Sequence, residues 1–246
     1  MVNEITRSSF EELLRQLIAV KSPYFHEDEV MDFVNEWLKD RGVPAQIHTF
    51  FEPKETKFHG KNVIGIMDSG KPGPVIYLGG HLDTVQLCNG WTKPPYEGVI
   101  EGDDMYGVGA LDMKSGVAGH MYLIKYFSEH PEELDGNIIA IAECDEEDNS
   151  KGIITALDEL VELKKKEGFK YIACINADYS TNYSPGDENR YIYYGSIGKL
   201  LPCFVAFGKE AHVGQAFSAL DPNLLIAEIT KKMSLNTDLC DIAQGE

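Results

Sequence analysis

Apolar residues recur at helical spacing in two places near the start of the chain. Phe10, Leu13, Leu14, Leu17 and Ile18 share one face of a predicted helix that runs through Val20, opened by a capping box between Ser8 and Glu11. Val30, Phe33, Val34, Trp37 and Leu38 mark a second helix from about His26 to Asp40, stopped at Gly42. Beyond it the period changes. Residues 45–51 and 62–67 read as strands, and PVIYLGG (74–80), bounded by prolines and glycines, reads as a buried central strand. An apolar-periodic stretch from Met113 follows, with Asp112 placed as its N-cap, and Pro131 ends it after His130. NIIAIAEC (137–144) is almost wholly apolar, as a strand covered on both faces should be. Residues 150–166 form an amphipathic helix whose LKKK tail suits a helix C-terminus. YIACINAD (171–178) reads as another buried strand, ending on an acid. This alternation predicts an α/β fold: a mixed, mostly parallel sheet with helices on both faces.

The pattern breaks near residue 183. NYSPGDENR (182–190) is polar and turn-rich, which sets an expected boundary between a first domain of residues 1–185 and a second of 186–246. In the second, residues 191–214 read as strands leading into a loop. DPNLLIAEITKKM (221–233) reads as a helix capped by Asp221, with Pro222 in its first turn. One strand unit and one helix make an incomplete α+β layer.

Composition narrows the functional classes. Hydrophobic residues make up 43% of the 246, enough for a sizeable core, and no run approaches the length of a membrane span. The opening MVNEITRSSFEELL has no apolar segment of the kind that directs secretion. Five scattered cysteines without a Cys-x-x-Cys pair argue against a zinc knuckle. Cys144 and Cys174, in predicted buried strands, suit reduced thiols and a cytoplasmic setting. A net charge of −18 disfavours nucleic acid and anionic membranes as partners and is compatible with cation binding.

The candidate chemistry lies at the carboxyl ends of the predicted strands, where open α/β sheets place their sites. His81 and Asp83 are spaced at the strand period, so both can face one side. His81 can ligate a metal through one ring nitrogen while Asp83 accepts a hydrogen bond from the other. CDEED (144–148) sets four consecutive acids at another strand end, where they repel unless protons or cations compensate. Taken alone, that run reads as a solvated acidic turn and Asp178 as a turn cap. GVGALD (107–112) falls one residue short of a dinucleotide fingerprint and puts Asp112 where a pyrophosphate would lie, so a nucleotide site is rejected. The spacing of a calcium loop is absent.

HLDTV (81–85), GWTKPPYEGVIEGDDMYGVGALDMKSG (90–116) and DEEDNSKG (145–152), in that order and spacing, resemble the M20 family of dinuclear zinc peptidases and amidohydrolases. The likeness extends from about residue 10 to about 230 and suggests the arginine-utilisation branch. It implies a zinc-peptidase-like catalytic domain followed by a lid domain. Two zinc ions per intact enzyme are implied, with cobalt or manganese as substitutes. The first ion would be held by His81, Asp112 and Asp178, the second by Glu147, the bridging Asp112 and a second histidine. Glu146 would be the general base and Asp83 the residue that orients His81. His212, in GKEAHVG, matches the lid histidine that stabilises the oxyanion, often across a dimer interface, so a homodimer through the lid is implied. The substrate would be a small molecule or peptide, an N-acyl amino acid or short peptide cleaved at its amide bond.

The chain departs from that pattern in three places. The second metal's histidine follows the lid in the family, and none of His26, His48, His59, His120 and His130 occupies that place. The chain therefore reads as the N-terminal portion of a longer enzyme. It is expected to be nearly inactive alone and to hold at most about one zinc, against the rival of a non-catalytic metal-binding member of the fold. Val108 stands where the family often has Arg, and AFSALDPN (216–223) replaces a Pro-containing run.

Overall fold

The two helical stripes fold as α1 (Arg7–Ala19) and α2 (Asp28–Lys39) in the computed structural model, which describes residues 6–179 and 203–234. Leu13, Leu14, Leu17 and Ile18 are buried on α1, and Met31 joins Val30, Val34, Trp37 and Leu38 on α2. The capping box that opens α1 sits two residues earlier than expected. Thr6 Oγ1 accepts from Ser9 N at 3.1 Å, and Thr6 N donates to Ser9 Oγ at 3.1 Å. Glu11 is ion-paired to Arg7 instead, one turn back on the helix.

The chain divides into two compact units, Met1–Asn189 and Arg190–Glu246. The first contains β1 (Ala45–Phe51), β2 (His59–Asp68), β3 (Pro74–His81), a small hairpin of β4 (Val99–Glu101) and β5 (Asp104–Tyr106), α3 (Lys114–Glu129), β6 (Asn137–Glu143), α4 (Lys151–Glu167) and β7 (Lys170–Asn176). Five strands form one mixed sheet in the order β1-β2-β6-β3-β7. The parallel pairings are confined to β6-β3 and β3-β7, while β1-β2 and β2-β6 run antiparallel. β6, not β3, is the central strand. That position explains why all seven of its residues are buried.

Period-two alternation divides the sheet between two cores. Ile138, Ala140 and Ala142 face the layer of α1, α2 and α3, together with Leu78, Val63 and Met67. Ile139 and Ile141 face α4, with Val75, Tyr77 and Ile64. Helices thus cover both faces, as the sequence pattern implied.

β7 does not meet the expectation of a buried strand. Among the described residues it has a neighbour on one side only, and Ile172, Cys174 and Ile175 are exposed. Cys144, at the end of the central strand, is fully buried.

In the second unit, Asp221 Oδ1 accepts from Asn223 N at 2.9 Å and opens α5 (Pro222–Ser234), as the sequence predicts. Most of the strands expected over 191–214, and the expected boundary at 185, lie outside the described residues. Residues 203–208 are in no strand. Among the described residues no helix is long and apolar enough to cross a membrane.

Candidate metal centre

The strand order brings the chemical residues together. Because β6, β3 and β7 are adjacent and parallel, their carboxyl ends open side by side. His81 ends the middle one of the three, with the run from Asp145 to Asp148 on one flank and Asp178 on the other. Asp112 arrives by a different route. It does not cap α3, which begins at Lys114 with Met113 in the cap position and no side-chain cap. Its carboxylate turns to the strand ends instead, with Oδ1 3.1 Å from His81 Nε2.

His81 is buried, and its Nδ1 lies 3.0 Å from the backbone carbonyl of Asp83. A carbonyl can only accept, so Nδ1 carries the hydrogen and Nε2 faces the acids. The expected contact with the Asp83 carboxylate is looser, at 3.5 Å. Its Oδ2 accepts from Glu147 N at 2.9 Å, so the Asp83 side chain holds the acidic loop in place. Ligand atoms of His81, Asp112 and Glu147 all lie within 4.8 Å of one another. Glu146 Oε2 is 3.8 Å from His81 Nε2. Asp178 is exposed and is not one of the three grouped donors, and, besides burial, the Asp112 carboxylate is among the charges that raise its pKa.

The acids of this cluster repel one another. Burial raises the pKa of Glu146, Glu147 and Asp178, and mutual repulsion adds to it. Burial opposes protonation of His81, yet hydrogen bonds to Asp112 and Asp83 outweigh it and push the pKa up to about 11. A proton on Nε2 therefore offsets one carboxylate charge, where a bound dication would offset two. Oxygen and imidazole donors without thiolate suit zinc, manganese or cobalt. The donor set fits a metal ion.

Residues 77–187 match the model of peptidase family M20/M25/M40. Protein RocB of Bacillus subtilis (strain 168) is 33% identical over 256 aligned residues, which take in 100% of this chain and 44% of that protein. The chain carries a peptidase family M20 domain. A succinyl-diaminopimelate desuccinylase of Orientia tsutsugamushi (strain Ikeda) is 27% identical over 227 residues, 92% of the chain and 55% of the relative. The crystal structure of human carnosine dipeptidase 1 shares the fold, with a TM-score of 0.58 at 22% identity over 70% of this chain and 38% of that one. The chain spans about half the length of these curated relatives.

Two buried charged groups hold the site from behind, and the residue pattern did not single them out. Glu27 Oε1 accepts from Phe25 N at 3.0 Å and Asp145 N at 3.1 Å, tying the start of α2 to the acidic loop. Burial, then repulsion from Asp83, raises its pKa to about 7. In sequence it looks like any acid at a helix start. Lys114 Nζ donates to Leu17 O at 2.8 Å and Val20 O at 2.9 Å, pinning the end of α1 under the loop that carries Asp112. Its wholly buried ammonium serves these carbonyls rather than the acids.

Among the described residues of the first unit, no histidine other than His81 belongs to the three-donor group. His120 is buried among apolar side chains of α3, and His48 Nδ1 is 3.3 Å from Asn62 Nδ2. His26 and His59 are exposed. His212 lies in the second unit, exposed, with Nδ1 accepting from Gly214 N at 3.1 Å.

One further buried acid gives the M20 domain a pH signature. The Tyr77 hydroxyl donates to Glu143 Oε1, and burial raises the Glu143 pKa from 4.5 to about 7. Between those values the folded state binds the proton more tightly than the unfolded state. Stability therefore falls as pH rises through that window. In metal-free protein, Glu143→Gln should raise the melting temperature more at pH 8 than at pH 5. Equal shifts at the two pH values in thermal melts would show that Glu143 is not protonated in the fold.

Proposed function

We propose that this M20 domain is the metal-holding part of a hydrolase that cleaves the amide bond of an N-acyl amino acid or short peptide. The observation that supports it most is the convergence of His81, Asp112 and Glu147 at the open ends of β3 and its neighbours, with Glu146 beside them. The names of the desuccinylase and dipeptidase relatives agree with amide hydrolysis.

His81, Asp112 and Asp178 would hold one ion, and Glu147 with the bridging Asp112 would supply the protein carboxylates of a second. When bound, the ions would polarise the amide carbonyl and acidify water. Glu146 takes the proton from the attacking water and returns it to the departing amine nitrogen. Asp83 fixes both the His81 ring and the Glu147 backbone, so its loss would loosen two ligands at once. His212 keeps the oxyanion role that the family resemblance assigns, and the arginine-utilisation branch, the lid-mediated homodimer and the 185/186 boundary are finer parts of the same proposal.

The test is chelator treatment of the intact enzyme followed by reloading with zinc, cobalt or manganese, with hydrolysis of N-acyl amino acids and dipeptides measured at each stage. Hydrolysis should vanish on stripping and return with metal. Chelator-insensitive hydrolysis would overturn the reading. Metal analysis should find at most about one tightly held zinc per chain, because a dedicated site needs about three protein ligands and His81 is the single imidazole in the group. Metal bound without any hydrolysis would favour the non-catalytic alternative.

A further inference from the structure

Beside the metal donors lies a cavity of about 280 Å³, lined in part by Val85, Leu87, Trp91, Val108 and Leu111. Asp112 and Glu147 border the same cavity. Exposed apolar side chains scattered singly over a surface carry no information. Here Val85 (55% exposed), Leu87 (47%), Trp91 (39%) and Leu111 (61%) all wall one concavity that touches two of the acids placed at the metal centre. The volume is at the small end of ligand pockets, room for one substituent rather than for a whole peptide.

Charge sets the class of that substituent. Among the described residues, none that lines the cavity is cationic. Two lysines near in sequence are engaged elsewhere: Lys114 with the carbonyls of Leu17 and Val20, and Lys93 with Glu101. Against the apolar wall a carboxylate would give up water without gaining a partner from it, which is costly, whereas an apolar group would gain from the same transfer.

We infer that this cavity binds an uncharged aryl or branched-alkyl group flanking the scissile amide, so that the substrate is an amide with an apolar substituent and not a carboxylate-bearing acyl group such as succinyl. The inference rests on the hydrolase reading above, because that reading puts the amide at the adjacent donors. It goes further in naming what the neighbouring surface selects. Leu111 and Trp91 then act as specificity-determining residues: Leu111 immediately precedes Asp112, and Trp91 offers the largest apolar face of the wall.

The experiment is a panel of N-benzoyl, N-isovaleryl, N-acetyl and N-succinyl derivatives of one amino acid, assayed on the zinc-loaded full chain, its Trp91→Ala variant and its Leu111→Arg variant. Apolar pockets discriminate by about 10- to 200-fold per group. The benzoyl or isovaleryl compound should therefore exceed the succinyl compound at least about tenfold in kcat/KM. Trp91→Ala should shrink that ratio and Leu111→Arg should move it toward succinyl, both with unchanged metal content. A preference for succinyl in the native chain, or a ratio that neither variant moves, overturns the inference. If no compound is hydrolysed, as the family resemblance implies for this chain alone, the cavity is judged by binding alone. A saturable change in tryptophan emission with N-benzoyl amino acid, absent with N-succinyl and absent in Trp91→Phe, would then sustain the apolar site. Lack of that change would remove it, as would a cavity closed to the probe by another copy of the chain or by the second unit.

Discussion

In the intact enzyme, Glu146→Gln should lower the rate of amide hydrolysis by about 10²–10⁴-fold while leaving metal content unchanged. Glu146 reaches within 3.8 Å of His81 Nε2 but lies outside the group of three whose donor atoms all meet within 4.8 Å. Its side chain is 44% exposed, so water can stand against it. Burial raises its pKa, His81 opposes the rise, and Asp83, Asp178 and Asp112 add to it. A base of that kind is more basic than a free carboxylate and better matched to neutral pH. The amide of Gln has the same shape and no capacity to take the proton. Glu147→Gln makes the contrast, because it should release metal as well as activity. Near-normal kcat in Glu146→Gln would mean that another group moves the proton. A joint loss of metal and rate would make Glu146 a ligand.

The placing of His81 and the acids at strand ends was legible in the sequence because each cluster is local. His81 and Asp83 follow an apolar run, the acids 145–148 follow another, and Asp178 a third, so each cluster could be placed at a strand end from its own flanks. Which strands are neighbours is not local information. The hydrophobic run 74–80 looks as central as 137–143, yet pairing order puts β6 in the middle and leaves β7 with one neighbour among the described residues. Burial was misjudged at Cys174 for that reason.

Asp112 shows a different limit. An Asp before a helical stretch is what a cap looks like, and the same residue type serves as a metal ligand. The structure leaves the cap position to Met113 and brings Asp112 Oδ1 to 3.1 Å from His81 Nε2. Glu27 and Lys114 were missed because their partners are backbone groups far along the chain, Asp145 N for one and the carbonyls of Leu17 and Val20 for the other. Side-chain patterning has no signal for a carbonyl.

Gly152→Ala should destabilise the M20 domain by about 3 kcal/mol or more, the upper range for forcing atoms into a packed interior. A Cβ at Gly152 would stand 2.0 Å from Cys144 O and 2.8 Å from Cys144 N, both backbone atoms that no rotamer change can move. The same junction is clamped by Asn62, whose Nδ2 donates to Gly152 O at 2.9 Å and whose Oδ1 accepts from Cys144 N at 3.2 Å. For the methyl to fit, the start of α4 must retreat from the end of β6 and break that clamp. The loop of residues 145–150 spans the gap and carries Glu146 and Glu147, so metal affinity should fall with stability. At about 2–4 °C per kcal/mol for a domain of this size, the melting temperature should drop by roughly 6–12 °C or more. Gly119→Ala is the matched control. Gly119 lies within α3 with nothing within 4 Å of its added Cβ, so the substitution should stabilise by about 0.5–1 kcal/mol through helix propensity alone. Thermal melts and zinc titrations of both variants decide it: a Gly152→Ala protein as stable as Gly119→Ala, with native zinc affinity, would show that α4 and the acidic loop are not held by this backbone contact.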